Sequence, residues 1–257
     1  MKVLVTILLF MAISGCASRR PEEKGSNSGI LLKRASYFFK MQENSGEYFL
    51  KKENGWSGKN LFTTKRTLKN IDQTKTLEKS ISFSKSGNLK NGIRIFRPDR
   101  SQYVVWFNKK KYSSITKINE KNKSIEVIVS SPEAKWNGKK EIAFPSSTMA
   151  YCYFYQIIEC AANMGFIQKA PSLSTMLLDF YIVWEGYPFI QEQYSGLPSE
   201  VFTKASLSYD GKNDNGDMKF SLRFGDQMIA YVVDRKYRNY RMFWVSQGLA
   251  TTLQSVK

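Results

Sequence analysis

Residues 201–224 read VFTKASLSYDGKNDNGDMKFSLRF. Val201, Thr203, Ala205, Leu207 and Tyr209 fall at every second position. Met218, Phe220, Leu222 and Phe224 do the same against Lys219, Ser221 and Arg223. Successive side chains of a strand point to opposite faces, so each run lays one row on a core and the other in water. Between the runs lies Asp210–Asp217, DGKNDNGD, made of residues that suit tight turns. The stretch predicts a β-hairpin, and with it a mainly β, β-rich α+β fold.

The same alternation continues on both sides. Gln227–Val233, Tyr240–Gln247 and Leu249–Val256 read as further strands. Upstream, Ile81 and Phe83 alternate with Ser80, Ser82 and Ser84, and Ile125, Val127 and Val129 with Ser124, Glu126 and Ser130. Turn signals fall at Ser86-Gly87-Asn88, Asn91-Gly92, Arg97-Pro98-Asp99 and Asn137-Gly138. Residues 30–144 therefore predict an antiparallel meander with one apolar face and one rich in Lys, Ser and Thr.

The pattern breaks between Pro145 and Gly186. TMAYCYFYQIIECAANMGF (148–166) is densely apolar and reads as a helix or a strand. After Pro171, with Ser172 as N-cap, Leu173, Met176, Leu177, Phe180, Tyr181 and Trp184 fall at helical spacing. The expected body is one domain over 30–257, a curved antiparallel sheet or open barrel, with a helical insertion at about 147–185 giving one or two helices packed on the concave side. No internal repeat is visible.

The chain has 257 residues, 39 Lys+Arg, 22 Asp+Glu and no histidine. The missing histidine excludes Ser-His-Asp and Cys-His catalysis and every histidine-bound metal. Two S-x-x-K matches, Ser82…Lys85 and Ser114…Lys117, sit on strands, where an offset of three sends the side chains to opposite faces. In the 210–217 loop the glycine register of an EF-hand fails, leaving a solvated turn. Glu159 stands out within its apolar run, but Gln156, Glu159 and Asn163 share one side of a helix and read as a solvent stripe. No second acid presents itself as its partner in a wall-polysaccharide hydrolase. No catalytic residue, metal or cofactor is expected.

Cys152 and Cys160 are eight positions apart. A disulfide needs Cα atoms within about 7 Å, whereas one continuous helix would hold them about 12 Å apart. Bridge and unbroken helix exclude each other; the bridge is expected if the compartment is oxidising.

The compartment is suggested by the first residues. Lys2 precedes an apolar run from Val3 to Ile13, about half the roughly 20 residues a spanning helix needs, so 1–15 read as a signal peptide. It ends in Ile13-Ser14-Gly15-Cys16. This resembles the signal of bacterial lipoproteins, and the resemblance implies lipid attachment and cleavage at Cys16. With Ala17 rather than Asp next in line, it further implies the outer membrane. Residues 16–29 are polar and turn-rich and read as a flexible tether.

The net charge of +17 points to anionic partners. Arg235, Lys236, Arg238 and Arg241 interleave with Tyr237 and Tyr240, and in an envelope protein anionic lipid or lipopolysaccharide suits them better than nucleic acid. The expected function is that of a non-catalytic envelope lipoprotein binding an apolar or anionic ligand. The alternative is a structural or assembly partner of another envelope protein. At the level of architecture alone, the expected body resembles periplasmic carriers of lipids and lipoproteins.

Overall fold

The computed structural model describes residues 34–88, 94–172 and 176–257. The signal peptide, Cys16, the tether and the Asn91-Gly92 turn lie outside them. A first meander comprises β1 (Arg34–Glu43), β2 (Gly46–Ser57), β3 (Leu61–Asn70), β4 (Thr76–Asn88), β5 (Arg94–Phe107), β6 (Lys110–Asn119), β7 (Ser124–Ser130) and β8 (Gly138–Ala143). A crossing segment follows: short β9 (Ala150–Tyr153), a 3-10 turn (Phe154–Gln156), α1 (Ile157–Asn163) and α2 (Phe166–Lys169). The chain then runs through β10 (Leu177–Val183), α3 (Phe189–Gln193), β11 (Phe202–Lys212), β12 (Met218–Phe224), β13 (Gln227–Val233), β14 (Asn239–Trp244) and β15 (Leu249–Val256).

All fifteen strands belong to one sheet, ordered β8-β7-β6-β5-β4-β3-β2-β1-β15-β14-β13-β12-β11-β10-β9. Every neighbouring pair is antiparallel except β9 and β10, which are parallel. The two halves join where β1 pairs with β15, Tyr37 opposite Val256 and Met41 opposite Thr251. The outermost strands, β8 and β9, are not hydrogen-bonded to one another. The sheet nevertheless curls until Ile125 and Val127 of β7 pack against Tyr153, Val183 and Phe202 from its far end. The sheet is not closed, and these side chains pack between its two ends.

The hairpin at 201–224 forms, with Leu207 opposite Leu222 and Tyr209 opposite Phe220, and β11 runs on through an irregularity to Lys212, so the turn is shorter than the expected Asp210–Asp217. Met218, Phe220, Leu222 and Phe224 are buried, while Lys219 and Arg223 are exposed. This half of the interior is aromatic. The Phe154 ring lies 4.5 Å from that of Trp184 and 5.5 Å from that of Trp244, and Phe224 completes the cluster.

Four expectations are corrected. The helix expected from Leu173 to Trp184 is instead strand β10 where it is described. Its buried row has period two, Phe180, Ile182 and Trp184, and β9 and β11 flank it on both sides. A strand covered on both faces carries apolar residues at nearly every position, which also satisfies a helical template. The segment 148–166 is neither all helix nor all strand. It changes from strand to 3-10 turn to helix, and that break lets Cys152 in β9 bond to Cys160 in α1 with Cα atoms 6.0 Å apart.

Arg97-Pro98-Asp99 is not a turn but a bulge within β5. Pro98 pairs with Ser84 and Arg100 with Phe83, leaving Asp99 over. Lastly, β4 presents its faces in the reverse sense. Ser80, Ser82 and Ser84 are buried on the inside, and Ile81 and Phe83 lie on the outside.

Candidate functional site

The reversed face of β4 belongs to a polar floor inside the first half of the sheet. Register sets Lys52, Arg66, Ser80, Tyr103 and Ser114 in one row across β2 to β6. Asn54, Thr64, Ser82, Ser101 and Thr116 form the next. Buried polar groups need partners, and the crossing segment supplies them. Gln156 accepts from the Ser84 hydroxyl at 2.5 Å and donates to the Ser82 carbonyl at 3.2 Å. Glu159 pairs with Lys52 at 2.7 Å and accepts from Asn54 at 2.8 Å. Lys52 also donates to the Tyr155 carbonyl. Gln156 and Glu159 are thus buried; the expected solvent stripe is overturned because the floor beneath α1 is polar.

Glu185 is fully buried over the same floor. Its Oε1 accepts from Ser82 at 3.1 Å and from the Tyr155 amide at 3.2 Å, and its carbonyl accepts from Ser114. Oε2 has no partner among the described residues. Burial pushes its carboxyl up to about 7 against the pull of these hydrogen bonds. Next in the chain, Gly186 crosses Tyr103 so closely that a Cβ would stand 3.0 Å from the ring. The Tyr103 hydroxyl donates to Glu78 at 3.0 Å, and Glu78 is ion-paired with Arg66, whose guanidinium lies 4.0 Å from the centre of the Tyr155 ring.

Two cavities adjoin this network, with Tyr194 in the wall of both. The inner pocket has a volume of about 80 Å³, and Lys52, Tyr155, Glu159, Tyr231 and Asn239 line it among aromatic neighbours. A molecule of water occupies about 30 Å³ of liquid, so the pocket has no room for a sugar ring or an acyl chain. The outer cleft has a volume of about 700 Å³, within the range of small-molecule sites. Tyr48, Trp106, Phe107, Tyr112, Trp136 and Phe189 line it, and the Phe107 side chain is 63% exposed. Its charged lining residues are Glu43, Glu78, Glu133 and Glu192, with no lysine or arginine among the described residues. Glu133 is held down to about 2 by hydrogen bonds from Ser131, Tyr112 and Lys110.

The residues singled out in sequence lie elsewhere. Arg235 and Lys236 sit exposed in the β13–β14 turn, and Arg241 is exposed on β14. Arg238 is committed to Asp234, to which its Nε donates at 2.7 Å. The cluster is therefore three exposed cations, none of which lines the cleft. Ser82 and Ser114 are both buried on strands, bonded to Glu185. Asp210 accepts from Ser208 and Ser221 within its own hairpin, Asp217 accepts from Asn213 of the same turn and from the Tyr240 hydroxyl of β14, and no metal-ligand group forms among the described residues.

Lys52, Arg66, Glu78 and Glu185 escaped notice in the sequence. The available signal was register: in LFTTKRTLKN, Arg66 shares its period-two row with Phe62 and Leu68. No family model matches this sequence, and neither a curated protein nor a solved structure matches it.

Proposed function

We propose that the chain is a lipid-anchored protein of the bacterial envelope, attached through Cys16 to the outer membrane, whose body is a non-catalytic binding module. The cleft beside α3 is the place for its ligand. The observation that carries this reading is the exposed Phe107 in an aromatic cleft of about 700 Å³. Apolar surface left open to water in a concave site is the usual mark of a ligand or partner. With Glu78 committed to Arg66 and Glu133 to Lys110, Glu43 and Glu192 favour a neutral or cationic apolar ligand there over an anionic one. The exposed cations of the β13–β14 turn leave anionic head groups as a separate, peripheral contact.

Native mass spectrometry of the full chain extracted from membranes tests both parts. Acyl chains on Cys16 stay with the denatured protein, whereas a cleft ligand leaves. An acylated chain that loses a small apolar molecule on denaturation, and does not carry it once Trp106 and Phe107 are both changed to Ser, supports the reading. An acylated chain that carries nothing would refute the ligand and favour a protein partner at the same cleft. A Cys16 without lipid would refute the anchor.

A further inference from the structure

The charge around the outer cleft is the inverse of the chain's. The sequence has 39 Lys+Arg against 22 Asp+Glu, yet among the described residues every charged side chain lining the cleft is a glutamate. They come from separate parts of the fold: the end of β1 (Glu43), β4 (Glu78), the β7–β8 connection (Glu133) and α3 (Glu192). Glu78 is paired with Arg66, and Glu133 with Lys110 at 3.2 Å. Glu43 accepts only from neutral hydroxyls, those of Tyr194 and Ser45, each at 3.2 Å. Glu192 is exposed, and its carboxylate has no hydrogen-bond or ion-pair partner among the described residues. Much of the remaining wall is aromatic, with Tyr112 and Phe189 edge to face at 5.3 Å between centroids and Phe107 exposed.

We infer, on the reading of the cleft as the ligand site given above, that its ligand is an organic cation: an ammonium group carried on an apolar body. The faces of aromatic rings are the negative ends of their quadrupoles and attract a cation within about 6 Å. Glu43 and Glu192 provide the countercharge. A neutral ligand would take water from both carboxylates and return nothing, and an anion would add repulsion. A cation turns both into pairing groups. The apolar body is met by the aromatic walls and by Leu68, Leu77 and Val105. The positive excess elsewhere on the chain counts for little here, because salt screens exposed charges beyond about 10 Å.

Phenylpropylammonium, phenylpropanol and phenylpropionate share one apolar body and differ in charge. Their affinities for the full chain in an uncharged detergent would be measured by calorimetry, with protein-free micelles titrated in parallel. The ammonium is expected to bind at least about tenfold tighter than the alcohol, and the propionate weakest. Glu43→Gln together with Glu192→Gln keeps an acceptor for the Tyr194 hydroxyl and alters only partly buried or exposed positions. In that variant the ammonium should fall to within about threefold of the alcohol. Equal binding of ammonium and alcohol by the parent would overturn the inference while leaving an apolar ligand site in place. An ammonium preference that survives in the double variant would put the cation elsewhere and overturn it too. Failure of all three to bind up to about 10 mM would remove the inference together with the cleft as a ligand site.

Discussion

The Ser82 hydroxyl donates a 3.1 Å hydrogen bond to Oε1 of Glu185, 103 residues further along the chain. It ties the floor of the first meander to the segment that covers it, and it does so with a carboxyl group held wholly out of water.

Glu185 makes stability depend on pH. Its folded pKa of about 7 lies above the ordinary 4.5, so between these values the folded chain keeps a proton that the unfolded chain has lost. Stability contributed by this group is full below 4.5, falls as pH rises towards 7, and is level above it. The size is on the order of 3 kcal/mol. Urea unfolding from pH 4.5 to 8 should show the fall, and Glu185→Gln should flatten it. An unchanged slope in the variant would place the titration elsewhere.

Arg66 and Glu78 are a buried pair, at 9% and 3% side-chain exposure. Removing one charge strands the other, so Glu78→Gln should cost about 3–5 kcal/mol. The double change Arg66→Leu with Glu78→Leu should cost much less than two such losses. Denaturation midpoints of the three proteins decide it; strict additivity would argue against coupling through this pair.

The disulfide closes a nine-residue loop between β9 and α1. Its loss should cost about 2–3 kcal/mol through the freedom regained by the unfolded chain. Cys152→Ala with Cys160→Ala, compared with the parent by guanidinium unfolding, measures it. The double variant should remain folded, because both positions lie inside the main core.

Phe107 is a cleft residue with little to lose in the fold. Phe107→Ser should change stability by less than about 0.5 kcal/mol and reduce apolar ligand or partner binding at least tenfold. Fluorescence of an environment-sensitive apolar dye, displaced from parent and variant in parallel, provides the readout.

The legible parts of this fold were those where one face of a strand is greasy and the other charged. In β12, Phe220 and Leu222 against Lys219 and Arg223 leave a single solution. In β4 the period was readable but its sense was not. Ser80, Ser82 and Ser84 look like a water-facing row until Gln156 and Glu185 come to lie on them. Those partners are more than seventy residues away, and nothing local announces them. β10 failed for the opposite reason, since apolar residues on both faces fit either period. The candidate site fared worse, because cleft and pocket are made of strand ends and a crossing segment that only the curl of the sheet brings together.

The pairing of β1 with β15 places the first and last described strands side by side in the middle of the sheet. Ser36 and Lys257 exchange backbone hydrogen bonds in both directions, at 2.8 and 2.9 Å. A chain delivered N-terminus first, from the ribosome or through a translocon, must therefore hold β1 without its partner until residues 249–257 have emerged. Until then its long edge stands open to any other strand.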